Sequence, residues 1–150
     1  MTFVKDLKCG KDVEKMFAKY LIDYPWLVWI EFPQGRFSDY DILLKTDKKE
    51  ITYEIKSDTM AQDTGNFVIE IMCNNIPSWI YASKADFIVY RIMDKWYIQK
   101  RWQLIYNLNK LENKRITKWW DWWRSEMYVI SMDYILDLFE EIKDDKKDDK

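Results

Sequence analysis

The feature of this sequence that most constrains its fold is a pair of alternating segments joined by a short polar stretch. In residues 39–44 and again in residues 52–56, side chains two positions apart would share one face of a strand. If the two strands pair through a hairpin, Asp41 of the first converges with Glu54 and Lys56 of the second. Two carboxylates beside one ammonium group, held on rigid elements, are what a divalent-metal hydrolase needs.

A helix is expected ahead of these strands, over residues 11–23, and Pro25 marks its end. Its apolar residues recur at helical spacing and predict a buried stripe of Val13, Met16, Phe17, Tyr20 and Leu21. Glu14 lies at the edge of this stripe. It is either a solvated acid favoured near the helix N-terminus by the dipole, or a carboxylate that reaches over the sheet toward a metal ion.

The alternation and turn signals predict a three-stranded meander after the helix, and further strands beyond it. The expected strands are 26–32, 37–45, 51–57, 67–71, 86–92, 96–99 and 127–130. The strand that carries Glu70 could run next to the third strand. Two later helices are expected at 101–113 and 132–142, burying Trp102, Ile105, Leu108 and Leu111 in the first and Ile135, Leu136 and Phe139 in the second, with Ser131 as an N-cap.

The length and composition predict a single domain. A chain of 150 residues, 48% hydrophobic and with 9 Trp, is sufficient for one packed core. We expect this domain to cover residues 1–142. Residues 143–150 contain only Lys and Asp, and we expect a disordered charged tail there.

Charge and residue usage exclude several classes of protein. The formal net charge of −2 excludes a chain that is basic as a whole, so any nucleic acid would meet a local basic surface. The absence of histidine excludes a Ser-His-Asp triad and His-ligated zinc. Cys9 and Cys73 form no C-x-x-C pattern and suit a reducing compartment. With no signal-peptide core and no long apolar run, the sequence predicts a soluble intracellular protein.

The helix, the meander and the spacing of Asp41 and Glu54-Ile55-Lys56 resemble the PD-(D/E)xK nuclease superfamily, whose motif places Glu-x-Lys 10–30 residues after an Asp. Tyr40 stands where that motif has proline. The stretch 64–90 also resembles small phage and viral members, although Trp79 follows Ser78 where a glycine is expected. The resemblance implies an α/β (α+β) fold with a restriction-endonuclease-like core, that is, a central mixed β-sheet flanked by helices.

The resemblance also implies a site and a cofactor. Asp41 and Glu54 would hold Mg²⁺, for which Mn²⁺ can substitute, with the carbonyl of Ile55 as a third ligand. Lys56 would orient the attacking water. Glu14 would complete the metal shell or bind a second ion.

Three further residues are candidates for contact with nucleic-acid phosphates. They are Ser57, Ser78 and Lys84. Ser78 follows Pro77 and is alternatively a helix cap.

The function that the resemblance implies is that of a Mg²⁺-dependent DNA endonuclease, suited to a phage source, and the resemblance also suggests a homodimer. One alternative is a nuclease-fold module that binds nucleic acid or protein without catalysis. A second is an RNA-directed nuclease, although the absence of histidine favours DNA. The non-catalytic alternative for Glu54 and Lys56 is a solvated charge pair on one strand. Asp39 suits a turn or a solvent-exposed position.

The most unusual stretch is Trp119–Trp123, for which we expect a helix with Trp119, Trp122 and Trp123 on one face. Core packing or a dimer seam is one role, and stacking on splayed bases is the other. Basic residues flank it and suit contact with a nucleic-acid backbone: Lys110, Lys114, Arg115, Lys118 and Arg124.

Overall fold

The computed structural model describes residues 3–34, 39–120 and 124–143, whose strands form two sheets. In chain order the elements are α1 (Phe3–Leu21), β1 (Leu27–Glu31), β2 (Ile42–Thr46), β3 (Glu50–Asp58), α2 (Ala61–Thr64), β4 (Asn66–Cys73), β5 (Ile76–Pro77), β6 (Phe87–Ile92), β7 (Lys95–Lys100), α3 (Arg101–Lys110), β8 (Lys114–Trp120), β9 (Arg124–Ser131), α4 (Ile135–Leu138) and β10 (Glu140–Ile142). Short 3-10 helices occupy Trp79–Tyr81 and Met132–Tyr134.

The larger sheet has the strand order β1-β2-β3-β6-β7-β10 and is mixed. Its first three strands form the antiparallel meander that the sequence predicts. Strand β3 then pairs with β6 in parallel, with Glu54 beside Ile88 and Lys56 beside Tyr90. Because parallel strands need a crossover connection, the chain between them leaves the sheet and returns. The strand with Glu54 and Lys56 is therefore central.

Helix α1 covers one face of this sheet. Val13, Phe17 and Leu21 are buried there with Ile42 and Ile55 in one apolar cluster. Burial of such side chains contributes about 1.5–3 kcal/mol each. The spacing also predicts buried Met16 and Tyr20, but these are 36% and 39% exposed, because only one stripe of the helix meets the sheet.

The opposite face of the larger sheet packs on the second sheet, whose strand order is β5-β4-β9-β8, and on α3. Fully buried Ile88 and Ile92 of β6 contribute to a cluster with Phe67 of β4, Leu104 of α3 and Ile130 of β9. A mixed central sheet flanked by helices is the α+β class that the sequence predicts, and this prediction is confirmed. The second sheet is an addition to it.

The second sheet corrects two expectations. Strand β4, which carries Glu70, pairs with β5 and β9, so the expectation that it runs beside β3 is wrong. Trp119 and Trp120, expected in a helix with the tryptophans that follow them, end strand β8, which pairs with β9. Pairing with the next strand of the chain decides this, and no local pattern in the sequence indicates it. Residues 121–123 lie outside the described residues, as do residues 144–150 of the expected tail.

The two later helices are shorter than their apolar spacing predicts. Helix α3 ends at Lys110 and buries Leu104 and Leu108, while Trp102 is 63% exposed. The C-terminal helix ends at Leu138, and residues 140–142 form β10, which pairs with the free edge of β7. Ser131 accepts a hydrogen bond from the backbone N–H of Asp133, as its predicted capping role requires. Among the residues that the structure describes, the helices lack the combination of length and hydropathy that a membrane span requires.

Candidate active site

Asp41 lies at a bend immediately before β2 rather than inside a strand. Its backbone N–H donates to the carbonyl of Tyr53 at 2.8 Å, and its carboxylate accepts from the N–H of Ile55 at 2.7 Å. Backbone N–H groups lie in the plane of a sheet, so the Asp41 carboxylate is held along the edge of β3, not on one of its faces. The alternation expected for residues 39–44 therefore does not extend to Asp41.

Glu54 and Lys56 lie two positions apart in β3 and share one face of the larger sheet. Burial, and then the neighbouring Asp41 charge, raise the pKa of Glu54 to about 7. The Lys56 ammonium and a hydrogen bond with Ser83 oppose that rise. The pKa of Asp41 is also raised, mainly by burial, against the lowering effects of the Ile55 N–H and of Lys56. The structure thus places Asp41, Glu54 and Lys56 within electrostatic reach of one another.

Helix α1 positions Glu14 near Asp41 and Lys56. Its pKa is raised to about 7, first by burial and second by the charge of Asp41. Lys11 and Lys56 act in the opposite direction. Asp41, at the edge of β3, therefore lies between a carboxyl group on α1 and one on the opposite face of the sheet.

The donor set suits a hard divalent cation. Mg²⁺ takes oxygen ligands, keeps several waters and is usually held by one or two carboxylates. In a strand the N–H and C=O of one residue point to the same side, so Ile55, whose N–H meets Asp41, presents its carbonyl there too. Within the described ranges, no group of three or more Asp, Glu, His or Cys side chains is arranged to hold a metal ion. Two carboxylates and a carbonyl are what the site offers.

Ser83 is a member of the site that sequence reasoning missed. It is buried, its hydroxyl accepts from the N–H of Ala85 at 3.1 Å, and it has both the carbonyl of Asp39 at 3.2 Å and the Glu54 carboxylate in reach. Its one proton goes to a single acceptor at a time, and an ionised carboxylate is the stronger one. No local signal marks this serine, because the crossover before β6 brings it to Glu54.

The candidate phosphate contacts lie at different places. Ser57 is exposed beside Lys56 and lines a cavity with it. Ser78 donates its hydroxyl to Glu70 and makes no capping bond with its side chain. Lys84 forms an exposed ion pair with Asp39, at 3.6 Å. Only Ser57 directly adjoins the Glu54–Lys56 segment.

The cavity beside Lys56 has a volume of about 410 Å³ and opens between β3 and the second sheet. Trp79 and Tyr90 form part of its wall, with ring centroids 5.4 Å apart. Trp79 has a φ of 45°, in the left-handed region that glycine adopts most easily. The large side chain of Trp79 therefore stands on a backbone conformation that glycine adopts most easily.

Comparison with known proteins shows a likeness in fold to a solved structure. No model of a known protein family matches this sequence, and no curated protein matches it. Among solved structures, the chain is similar to the bacterial homing endonuclease I-Ssp6803I, with a TM-score of 0.52 and 16% sequence identity, covering 94% of this chain and 80% of that one. At this level of identity the likeness concerns the fold. The fold of this chain is thus similar to that of an endonuclease.

Proposed function

We propose that this protein is a metal-dependent endonuclease that hydrolyses phosphodiester bonds in DNA, built on the PD-(D/E)xK plan. The observation that carries the proposal is the proximity of the Asp41 and Glu54 carboxyl groups to each other and to the Lys56 ammonium, with Glu14 close enough to interact with Asp41, and the raised pKa values of all three acids. Strongly perturbed carboxyl groups gathered beside a cation are typical of catalytic sites. The similarity to a homing endonuclease supports the choice of DNA as substrate.

In this proposal Asp41 and Glu54 hold Mg²⁺ or Mn²⁺, with the carbonyl of Ile55 as a third ligand. When bound, the ion supplies charge neutralisation on the phosphate and activation of water. The Ile55 N–H fixes the orientation of the Asp41 carboxylate, and Ser83 does the same for Glu54. Buried acidic groups that repel one another gain most from a cation.

Lys56 acts on the nucleophile in this proposal. Its ammonium belongs to an exposed side chain beside Glu54, where it can orient a water molecule toward the phosphate and stabilise the negative charge that develops. Glu14 adds negative charge from the α1 side, close enough to repel the Asp41 carboxylate but not arranged with Asp41 and Glu54 as a third ligand. Ser57 and Lys84 would contact phosphates on the rim in this proposal, whereas the hydroxyl of Ser78 is already donated to Glu70.

The test of this proposal separates metal binding from catalysis. Cleavage of duplex, single-stranded and branched DNA, and of RNA, is measured with and without Mg²⁺, and Mn²⁺ affinity is measured by calorimetry. We expect Lys56→Ala to lower cleavage roughly 100-fold or more, the range for loss of a proton-transfer group, while Mn²⁺ affinity changes little. Asp41→Ala is expected to abolish Mn²⁺ binding. Lys95→Ala, at an exposed lysine of the same sheet, serves as the matched control.

Equal cleavage by the wild type and by Lys56→Ala would refute the catalytic role assigned to Lys56.

A second candidate function, a nuclease-fold module without catalysis, is favoured by one observation. Carboxyl groups with a pKa of about 7 are partly protonated at neutral pH, which weakens their affinity for a cation. A wild type that binds DNA but no Mn²⁺ at pH 8, where these groups are ionised, would establish that alternative.

A further inference from the structure

Strands β8 and β9 form an antiparallel ribbon at one edge of the second sheet, and β8 pairs with no other strand of the described residues. The ribbon carries four basic residues and one acidic residue, in a chain whose net charge is −2. It is therefore a local basic surface, which an acidic chain needs if it is to bind nucleic acid. The charged residues of the ribbon are Lys114, Arg115, Lys118, Arg124 and Glu126.

Two of these basic residues lie on the face of the ribbon that packs toward the core. Directly opposite residues of an antiparallel pair share a face, and Lys114 lies opposite the fully buried Ile130. Lys118 lies opposite Glu126 and forms an ion pair with it at 3.3 Å. The Lys114 ammonium donates to the carbonyl of Leu111 at 2.6 Å. Both cations on this face therefore already have partners within the protein.

Arg115 lies on the other face of the ribbon, opposite Val129. Val68 of β4 is paired with Val129 from the other side and lines the cavity beside Lys56, as does Met127, two residues along β9. Arg115 therefore stands on the same surface of the second sheet that forms one wall of that cavity. Its side chain is exposed and forms no ion pair with another described residue.

The charge on this face favours an anion over β8 and not over β4. Among the described residues of β4, β8 and β9 that share the face, the one acid is Glu70 of β4, which accepts from the hydroxyls of Ser78 and Ser125. Strand β9 separates β4 from β8, so the strand of Arg115 lies roughly 10 Å from that of Glu70. Salt screens repulsion between exposed charges at about that distance. A phosphate over β8 thus meets the Arg115 guanidinium with no carboxylate beside it on this face.

We propose that the Arg115 face of the β8–β9 ribbon is a contact surface for the DNA backbone, and that Arg115 binds a phosphate of the duplex that extends from Lys56. The proposal rests on the proposed function for its substrate and for the position of the reacting phosphate. A guanidinium matches phosphate oxygens with two parallel hydrogen bonds. Contacts to phosphates position the duplex and carry no sequence information. Arg115 therefore adds affinity and register for DNA of any sequence.

The test compares two substitutions on β8 that each remove one exposed positive charge. Arg115→Ala removes the proposed contact, and Lys118→Ala removes a cation of the opposite face. Affinity for a fluorescent DNA duplex is measured by anisotropy in metal-free buffer over a range of salt concentrations. We expect Arg115→Ala to weaken binding roughly tenfold or more and to reduce the slope of log affinity against log salt by about 1. Lys118→Ala should leave that slope unchanged.

A third variant, Arg115→Lys, keeps a positive charge at the same place and should retain most of the salt slope. Thermal unfolding checks that each variant is folded, which we expect because both side chains are exposed. Equal losses of affinity in Arg115→Ala and Lys118→Ala, unchanged binding by Arg115→Ala, or no DNA binding by the wild type would overturn the inference. Cleavage with Mg²⁺ is scored separately. Binding that depends on Arg115 without cleavage would refute the nuclease function alone, whereas cleavage with binding independent of Arg115 would refute this inference alone.

Discussion

The ionised carboxylate of Glu54 lowers the stability of the metal-free protein. Burial of this carboxyl group, and then the neighbouring Asp41 charge, raise its pKa to about 7, so at pH 8 it is ionised in an unfavourable environment. We expect Glu54→Gln to stabilise the metal-free protein at pH 8 by on the order of 1 kcal/mol, since it removes a desolvated charge, and to abolish cleavage. Chemical denaturation and the cleavage assay measure the two effects.

The control for this variant is Glu50→Gln. Glu50 is on the same strand and pairs with Lys45 at 3.9 Å in an exposed ion pair, which contributes little to stability. We expect neither stability nor cleavage to change. Loss of stability in Glu54→Gln would show that the carboxylate forms a stabilising charge pair with Lys56, which is the non-catalytic alternative.

Some residues of this cluster could be predicted from the sequence, and others could not. Glu54 and Lys56 lie in a segment whose alternation predicts a strand, and the structure has one there. The bend at Asp41 has no comparable signal, because it arises where the Asp41 carboxylate replaces a strand partner for the Ile55 N–H. Ser83 reaches Glu54 only through the crossover, so sequence distance conceals it.

At the scale of elements, the Asp41 side chain ends the β2–β3 ladder. Asp41→Asn retains an acceptor for the Ile55 N–H, whereas Asp41→Ala leaves that donor without one. Both variants remove the charge, so their difference isolates the hydrogen bond. We expect Asp41→Ala to be less stable than Asp41→Asn by about 1–3 kcal/mol in urea denaturation. Equal stabilities would mean that water satisfies the Ile55 N–H.

Helix α3 gives a second test at this scale. Its apolar spacing predicts a buried Trp102, but the structure buries Leu104 completely and leaves Trp102 63% exposed. We expect Leu104→Ala to cost about 2–5 kcal/mol and Trp102→Ala less than about 1 kcal/mol. Thermal unfolding of the two variants measures the difference. A larger loss of stability in Trp102→Ala than in Leu104→Ala would show that Trp102 is buried, as the apolar spacing predicts.

Several elements differ from their sequence-based prediction because distant partners decide them. Residues 140–142 continue a helical pattern, yet pairing with β7 makes them a strand. The same holds for Trp119 and Trp120, which end β8 and pair with β9. The β4–β5 turn, by contrast, had a local signal that was missed: Asn74 and Asn75 both have positive φ, as the central residues of a tight hairpin turn often do.

At the scale of the whole molecule, the carboxyl groups make stability depend on pH. The pKa values of Glu14 and Glu54 are raised from 4.5 to about 7, and that of Asp41 is raised too. Between these values the folded chain binds more protons than the unfolded chain, so the free energy of unfolding falls as pH rises from about 4.5 to 7. We expect a lower melting temperature at pH 8 than at pH 5 in metal-free buffer.

Divalent cations should reverse this loss. A ligand at 100 times its Kd adds about 2.7 kcal/mol to the free energy of unfolding, so Mg²⁺ or Mn²⁺ at pH 8 should raise the melting temperature of the wild type. The Glu54→Gln variant should show a weaker pH dependence and little response to either ion. A wild-type melting temperature that changes with neither pH nor added cation would contradict the proposed interaction of the Glu14, Asp41 and Glu54 carboxyl groups.

The parallel pairing of β3 with β6 has a consequence for the order in which the chain folds. Strand β3 pairs with β2 through a short hairpin. Its pairing with β6 requires closure of the loop formed by residues 59–86. Loop closure of that kind is slow, since its entropy is lost before any contact compensates it. The nascent chain therefore completes the surroundings of Glu54 and Lys56 late, and refolding kinetics followed at this strand should lag behind those of the meander.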